Sequence, residues 1–402
     1  MRAIINKSRA KGTVTAPPSK SFAHRMMICA ALAGQGSTVR GISGSQDMYA
    51  TLECISALNG SYDRCGADVS FSSACSPVEG TAVYPCRESG STLRFFIPLA
   101  LTLGQSAQFR GTARLIERGI GIYEDMFLPR GITVEKTADS IKLNGRLSAG
   151  NYSLMGNVSS QFVSGLMFAL PLMDGDSVIE VLPPVESRAY IDITIAVMKS
   201  FGVIIEEREE NVFFVRGNQK YEPRTLTVEG DWSNAAFLYA LRHTGGELEV
   251  TGLNENSIQG DRVCRELFER LKDEKPEMDI SGCPDLGPIV FAMAACGHGA
   301  HITGTRRLRI KESDRAQAMA DELSKFGIRT ELLENEAVIY PGELHAPAEL
   351  LSGHNDHRIV MALAVLAALT GGEIEEAQAV SKSYPDFFEA IKSLGIEVET
   401  YA

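Results

Sequence analysis

The sequence predicts an α/β protein of two similar domains, each assembled from repeated β-α-β-α-β-β units. Three observations predict it: a recurring phrase, the regular spacing of that phrase, and a chain length of 402 residues. In each copy a polar cluster containing Ser, Asp or Asn precedes an Ala/Leu-rich helix of about three turns. Gly and a β-branched strand follow. Copies begin at Ser19, Ser89, Ser159, Asp231, Asp285 and Asn355, at spacings of 70, 70, 72, 54 and 70 residues. Self-similarity at a fixed period marks one supersecondary unit used repeatedly. The 54-residue spacing implies that one unit is abbreviated.

A second amphipathic helix with a Gly stop completes several units, as in I-A-V-M-K-S-F-G-V, A-D-E-L-S-K-F-G-I and F-E-A-I-K-S-L-G-I. One core rarely serves about 400 residues, so six units are expected as two groups of three. The natural midpoint is Val228-Glu229-Gly230, after the polar, proline-bearing stretch Q-K-Y-E-P-R-T. The strand signal K-G-T-V-T-A before Pro17-Pro18 lies outside the first unit and is free to cross back to the second half.

Composition narrows the function classes. The chain is 44% hydrophobic and 22% charged, with a formal charge of −12. That balance argues against general binding to nucleic acid or anionic membranes. No apolar run approaches a membrane span, and the start M-R-A-I-I-N-K-S has no apolar signal core, so a cytoplasmic protein is expected. The eight cysteines contain no C-x-x-C pair, which removes zinc-ribbon and thioredoxin-like readings; they are expected to be reduced.

Each polar cluster sits where a helix is expected to begin. Four backbone N–H groups lack intrahelical partners there, and the helix dipole adds positive potential, which makes an anion site. Capping alone explains a Ser or Asp. It does not explain the basic and amide groups packed beside them: Lys20-Ser21 with Arg25, Ser160-Gln161, and His357-Arg358. Several such clusters in one repeat architecture point to convergence on an anionic ligand.

The motifs A-P-P-S-K-S-x-x-H-R, S-S-Q-F, R-x-K-E-S-D-R, N-D-H-R and S-K-S-Y-P-D-F-F, in this order, resemble those of 5-enolpyruvylshikimate-3-phosphate synthases. The resemblance runs from about Lys11 to Gly395. It implies the enolpyruvyl transferase fold, two domains each of three β-α-β-α-β-β units about a pseudo-threefold axis. It also assigns residues 19–229 to the first domain, and 1–18 with 230–402 to the second. The implied reaction transfers the enolpyruvyl group of phosphoenolpyruvate to the 5-hydroxyl of shikimate 3-phosphate and releases phosphate, a step of aromatic amino-acid biosynthesis. The herbicide glyphosate targets this family.

The resemblance implies shikimate 3-phosphate contacts from Lys20, Ser21, Arg25, Ser159, Ser160, Gln161, Ser187, Asp285 and Lys311, with Tyr190 a plausible ring contact. It assigns phosphoenolpyruvate to Lys20, Gly90, Arg114, Gln161, Arg315, Arg358 and Lys382. Arg110 and Arg118 flank Arg114 and compete for its place. Arginine offers a planar fork for carboxylate or phosphate that lysine cannot copy. The chemistry moves protons: the attacking hydroxyl loses one and C3 of the donor gains one. Two carboxyl groups from different repeats suit these opposite tasks. The resemblance implies Asp285 as base and Glu312 as acid, with Lys20 shared between the transfers. No metal or cofactor is expected, and His24 and His357 receive no catalytic role. The expected partners are the two small substrates, with the protein a monomer.

Two departures stand out: Glu88-Ser89-Gly90-Ser91-Thr92 where the family commonly has Asn-Ala-Gly-Thr, and Gly119 where a proline follows the arginine. The nearest alternative is enolpyruvyl transfer to a UDP-amino sugar, but Gly111-Thr112-Ala113-Arg114 lacks the cysteine of that loop. An RNA 3′-phosphate cyclase is opposed by the acidic charge. A non-catalytic phosphosugar-binding protein is opposed by the joint presence of Lys20, Asp285 and Glu312.

Overall fold

The structure, a computed structural model, describes residues 1–274 and 276–401. The chain divides into two compact units. One comprises Lys20–Val228; the other joins Met1–Ser19 to Glu229–Ala402.

Three four-stranded sheets form the Lys20–Val228 unit. Thr81–Arg87, Ser106–Gly111, Ser140–Asn144 and Thr133–Lys136 lie side by side in that order. The first two are parallel and the other pairings antiparallel. A parallel pair needs a crossover, supplied here by the Gly90–Leu103 helix. The pattern repeats for Asn151–Met155, Ser177–Leu182, Val212–Val215 and Ile205–Glu209. It repeats once more for Thr225–Thr227, Ser37–Arg40, Asp68–Ser73 and Ser61–Cys65. The last strand of the unit in sequence thus completes its first sheet.

The other unit has two such sheets and one remnant. Glu277–Asp279, Ala300–Thr303, Glu336–Ile339 and Thr330–Leu332 follow the same order and sense. In the sheet of Leu351–Ser352, Gly372–Glu375 and Val398–Tyr401, the N-terminal strand Arg2–Ile5 fills the third position, between Gly372–Glu375 and Val398–Tyr401. Lys11–Thr15 pairs in parallel with Glu247–Thr251, and that sheet stops at two strands. This is the unit that begins at Asp231, where the short repeat spacing falls: among the described residues it has no closing hairpin.

Helices fill the interior of each unit. Every residue of Gly287–Ala295 is buried, as are twelve of the fourteen in His357–Thr370. Helices apolar on all sides belong in a core rather than on a surface. Second helices such as Arg315–Lys325 keep one polar face. In the second repeat that helix is broken into Ala113–Arg118 and Gly121–Phe127, because Gly119 turns left-handed at φ 68°. Among the described residues no helix is long and apolar enough to cross a membrane, and all eight cysteines are unbridged.

Because Arg2–Ile5 is an interior strand and Ile5 is fully buried, Ile5→Ala is expected to cost about 2–5 kcal/mol in urea unfolding. A cost below about 0.5 kcal/mol, the usual size for a surface change, would mean that the terminal strand contributes nothing to its sheet.

Candidate active site

The candidate residues fall into two sets, one on each unit. In the Lys20–Val228 unit, Lys20 opens the helix that runs to Ala33, and its Nζ lies 3.0 Å from Asp47 Oδ2. Both side chains are less than one-fifth exposed, so Asp47 holds the ammonium group in one direction. The next residue, Ser21, accepts at its carbonyl from Arg25 Nη1, one turn along, at 2.8 Å. Arg25 is buried and also reaches Thr194 Oγ1 at 2.7 Å, the Tyr190 carbonyl at 3.0 Å and Ser164 Oγ at 3.4 Å. Burial lowers its guanidinium to about 10. That network ties the Lys20 helix to the helices that begin at Ser160 and Arg188.

Ser159 caps the Ser160–Ala169 helix by accepting from Gln161 N at 3.3 Å. The Gln161 side chain points back to the second repeat: Nε2 donates to Ser91 Oγ at 3.0 Å, and Oε1 accepts from Arg94 Nη1 at 2.9 Å. Ser187 precedes the Arg188–Ser200 helix and is buried, with a left-handed backbone at φ 57°. Lys20, Arg25, Ser159, Ser160, Gln161 and Ser187 are therefore all placed at or within two turns of three helix starts.

Gly90 opens its own helix behind the Ser89 cap. A methyl group there would come within 2.7 Å of Arg94 Nη1 and 2.9 Å of Arg118 Nη2. Arg94 Nη2 in turn donates to the Gly119 carbonyl at 3.0 Å. Arg114, expected among the donor-holding cations, instead gives Nη1 to Glu117 Oε2 at 3.1 Å on an exposed turn. Of Arg110, Arg114 and Arg118, the one that reaches Gly90 is Arg118. Arg114 and Arg118 are four residues apart and share one face of a short helix, so spacing alone does not choose between them. Arg94 was legible in principle, being one turn from Gly90 on the same face.

His24 lies one helical turn from Lys20 and is buried, with Nδ1 2.7 Å from Thr51 Oγ1 and Nε2 without a hydrogen-bond partner. Burial, then Lys20 and Arg25, push its pKa well down. It is a neutral core histidine.

In the other unit, Asp285 sits on the single turn Pro284–Leu286 that leads into the Gly287–Ala295 helix. Its Oδ1 lies 3.0 Å from both Lys311 Nζ and Arg315 Nη1, and its Oδ2 lies 3.2 Å from Arg358 Nη2. Burial pulls this carboxyl upward, but Arg358, Lys311 and Arg315 together hold it well below the usual carboxylate range. Glu312 Oε2 is 2.6 Å from Arg315 Nη2. Lys382, at the end of the Ala377–Lys382 turn, donates to the Asn355 carbonyl and so stands at the N-D-H-R loop. Asp285, Lys311, Glu312, Arg315 and Arg358 are thus brought into one cluster, with Lys382 beside its loop.

Sequence reasoning passed over the residue that organises this cluster. Asp356 is fully buried and takes Arg315 in a two-pronged bond, 2.8 Å to Nε and 3.3 Å to Nη2. It also caps the His357–Thr370 helix through Arg358 N at 2.9 Å and accepts from Ser313 Oγ at 3.1 Å. Burial pulls its pKa up, but the charge and hydrogen bonds of Arg315, with His357, together bring it down to about 2. Among the described residues no group of His, Cys, Asp and Glu is placed to hold a metal ion.

Against known proteins, the profile of the EPSP synthase (3-phosphoshikimate 1-carboxyvinyltransferase) family matches residues 4–391. The chain belongs to the EPSP synthase family. It is a transferase of the carboxyvinyl group. A 3-phosphoshikimate 1-carboxyvinyltransferase of Clostridium kluyveri is 37% identical over 420 aligned positions, covering 99% of this chain and 98% of that one. One from Clostridium acetobutylicum is 39% identical over 422, with the same coverage. The solved EPSP synthase of Acinetobacter baumannii shares the fold, with a TM-score of 0.77 at 21% identity across 99% of this chain.

The Asp356 carboxyl, held near 2 against an ordinary 3.8, predicts a stability profile with a definite sign. A depressed carboxyl stabilises fully above its unfolded value and loses that share as pH falls towards its folded one. The gap in thermal midpoint between wild type and Asp356→Asn should therefore be widest above about pH 4 and narrow towards about pH 2. A gap independent of pH would show that Asp356 does not carry that charge.

Proposed function

We propose that this chain transfers the enolpyruvyl group of phosphoenolpyruvate to the 5-hydroxyl of shikimate 3-phosphate, acting as a cytoplasmic monomer without metal or cofactor. The observation that carries this reading is the cation cluster on Asp285: Lys311, Arg315 and Arg358 all bond to one carboxylate. Buried cations without a ligand need internal counter-charge. An incoming phosphate or carboxylate offers the same two-oxygen geometry that Asp285 and Glu312 supply to these groups.

In this reading Lys20, Gly90, Arg118, Gln161, Arg315, Arg358 and Lys382 are the donor contacts. Arg118 takes the place first expected of Arg114. Ser21, Arg25, Ser159, Ser160, Gln161 and Ser187 hold the acceptor, joined by Lys20, Asp285 and Lys311. Glu312 is 2.6 Å from Arg315, within reach of a donor held by that arginine. The acceptor oxygen attacks C2 and gives its proton to Asp285, while C3 takes a proton from Glu312. The tetrahedral adduct then loses phosphate, C3 gives back a proton, and the enol ether is restored. While three cations bond to it, Asp285 is a poor base. Donor anions that draw Arg315 and Arg358 to themselves would release it to accept a proton. Lys311 is held at about 8, lowered by burial against the pull of Asp285, and that value suits proton exchange near neutrality.

The test is phosphate release from phosphoenolpyruvate with shikimate 3-phosphate or UDP-N-acetylglucosamine as acceptor. Turnover with the first alone is expected. Arg118→Ala should weaken the donor by about tenfold or more, the worth of a charged contact, and Arg114→Ala by less than about threefold, as for an exposed ion pair. Turnover with the nucleotide sugar, or the reverse ranking of the two arginines, would overturn the assignment.

A further inference from the structure

Arg87 ends the Thr81–Arg87 strand, between the Gln46–Ala57 helix and the helices that carry Gly90 and Arg118. Its backbone is left-handed, with φ 53°, at a register shift between Pro85 and Arg87 at the end of the Thr81–Arg87 strand. A residue with a side chain keeps that conformation only under constraint from its surroundings. Here the constraint is visible. The guanidinium Nε donates to Glu53 Oε2 at 3.2 Å, Nη2 donates to Glu53 Oε1, and Nη1 donates to Gln46 Oε1. The cation also lies 5.8 Å from the Tyr49 ring centre. Gln46, Tyr49 and Glu53 share one face of the Gln46–Ala57 helix, at the spacing of successive turns.

That helix is itself tied to the site. It carries Asp47, the partner of Lys20, and Thr51, which meets His24 Nδ1 at 2.7 Å and Thr92 Oγ1 at 2.9 Å. In the other direction the Arg87 carbonyl accepts from Thr112 N at 2.9 Å. Thr112 caps the Ala113–Arg118 helix, and Gly90 lies three residues beyond Arg87. An exposed ion pair alone contributes little. The forked bond to Glu53 and the left-handed backbone set this one apart.

We propose that Arg87 is a positioning residue for the donor pocket: docked on the Gln46–Ala57 helix, it fixes the backbone that places Gly90 and, through Thr112, Arg118. The inference rests on the reading of Gly90 and Arg118 as donor contacts. It touches neither substrate in this account, so its effect should be selective. Steady-state kinetics of Arg87→Ala, Arg87→Gly, Glu53→Gln and, as the pocket control, Gly90→Ala test it. Arg87→Ala should raise the KM for phosphoenolpyruvate by about tenfold, as for loss of a charged bond, and Glu53→Gln should raise it in the same direction. The KM for shikimate 3-phosphate should change less than about twofold, the scale of a surface substitution. Arg87→Gly should lie nearer wild type than Arg87→Ala, since glycine adopts φ 53° unaided. An unchanged donor KM in Arg87→Ala and Glu53→Gln, beside a raised one in Gly90→Ala, overturns the inference alone. An unchanged donor KM in all of them overturns the pocket reading as well. If Arg87→Ala does not fold, Glu53→Gln decides on the same criterion.

Discussion

Arg315 and Asp356 form a buried ion pair, and the cation cluster around Asp285 is built on it. Taking two charges out of water costs several kcal/mol per ion, recovered only when the geometry is good and the remaining hydrogen-bonding capacity is used. Here it is used. Arg315 spends Nε and Nη2 on Asp356, Nη1 on Asp285 and Nη2 also on Glu312. Asp356 fills its second oxygen with the backbone N–H of Arg358. One carboxylate therefore orients a guanidinium and starts the helix that carries the next one. Neighbouring carboxylates raise the Arg315 pKa against the effect of burial, so it remains a cation in an environment that would otherwise expel it.

The same economy governs the Lys20–Val228 unit. A helix start must satisfy its first N–H groups, and a capping Ser or Asp does so with one side chain. Ser89, Ser159 and Thr112 serve as such caps. The residues just inside them, Gly90, Gln161 and Arg114 to Arg118, are thereby held in fixed directions by backbone geometry. The long side chains among them then bond one another: Gln161 to Arg94 and Ser91, Arg94 to the Gly119 carbonyl. Repetition of one β-α-β-α-β-β unit places several cap-and-cation sets in a chain whose overall charge is −12, so local basicity needs no basic protein.

Much of this was legible in the sequence because the repeat imposes period and punctuation together. The 70-residue spacing marked complete units, and the 54-residue gap after Asp231 marked the unit whose sheet stops at two strands. The motifs carried the clusters around Lys20, Gln161, Lys311 and Arg358. What escaped were choices made by tertiary contact. Arg114 and Arg118 share a helix face, and the left-handed turn at Gly119 helps set which one stands at Gly90. The pairing of Arg315 with Asp356 joins residues 41 apart, and that of Lys20 with Asp47 joins residues 27 apart. No local pattern announces which carboxylate a buried cation will find. Arg87 left no signal either, since its left-handed backbone belongs to a residue type that gives no warning of it.

The proposed function requires that Lys311, Arg315 and Arg358 keep Asp285 ionised in the free protein and release it when donor anions bind. Carbon-13 NMR of aspartate-labelled protein, with the Asp285 carboxyl assigned by Asp285→Asn, measures this from about pH 3 to about pH 8, across the ordinary carboxylate range. The account predicts a flat signal above pH 3.8, the ordinary value for the group, in the free protein. With phosphoenolpyruvate bound, the titration should move upward. A free-protein carboxyl that titrates at or above 3.8, or one that phosphoenolpyruvate leaves unmoved, would contradict it.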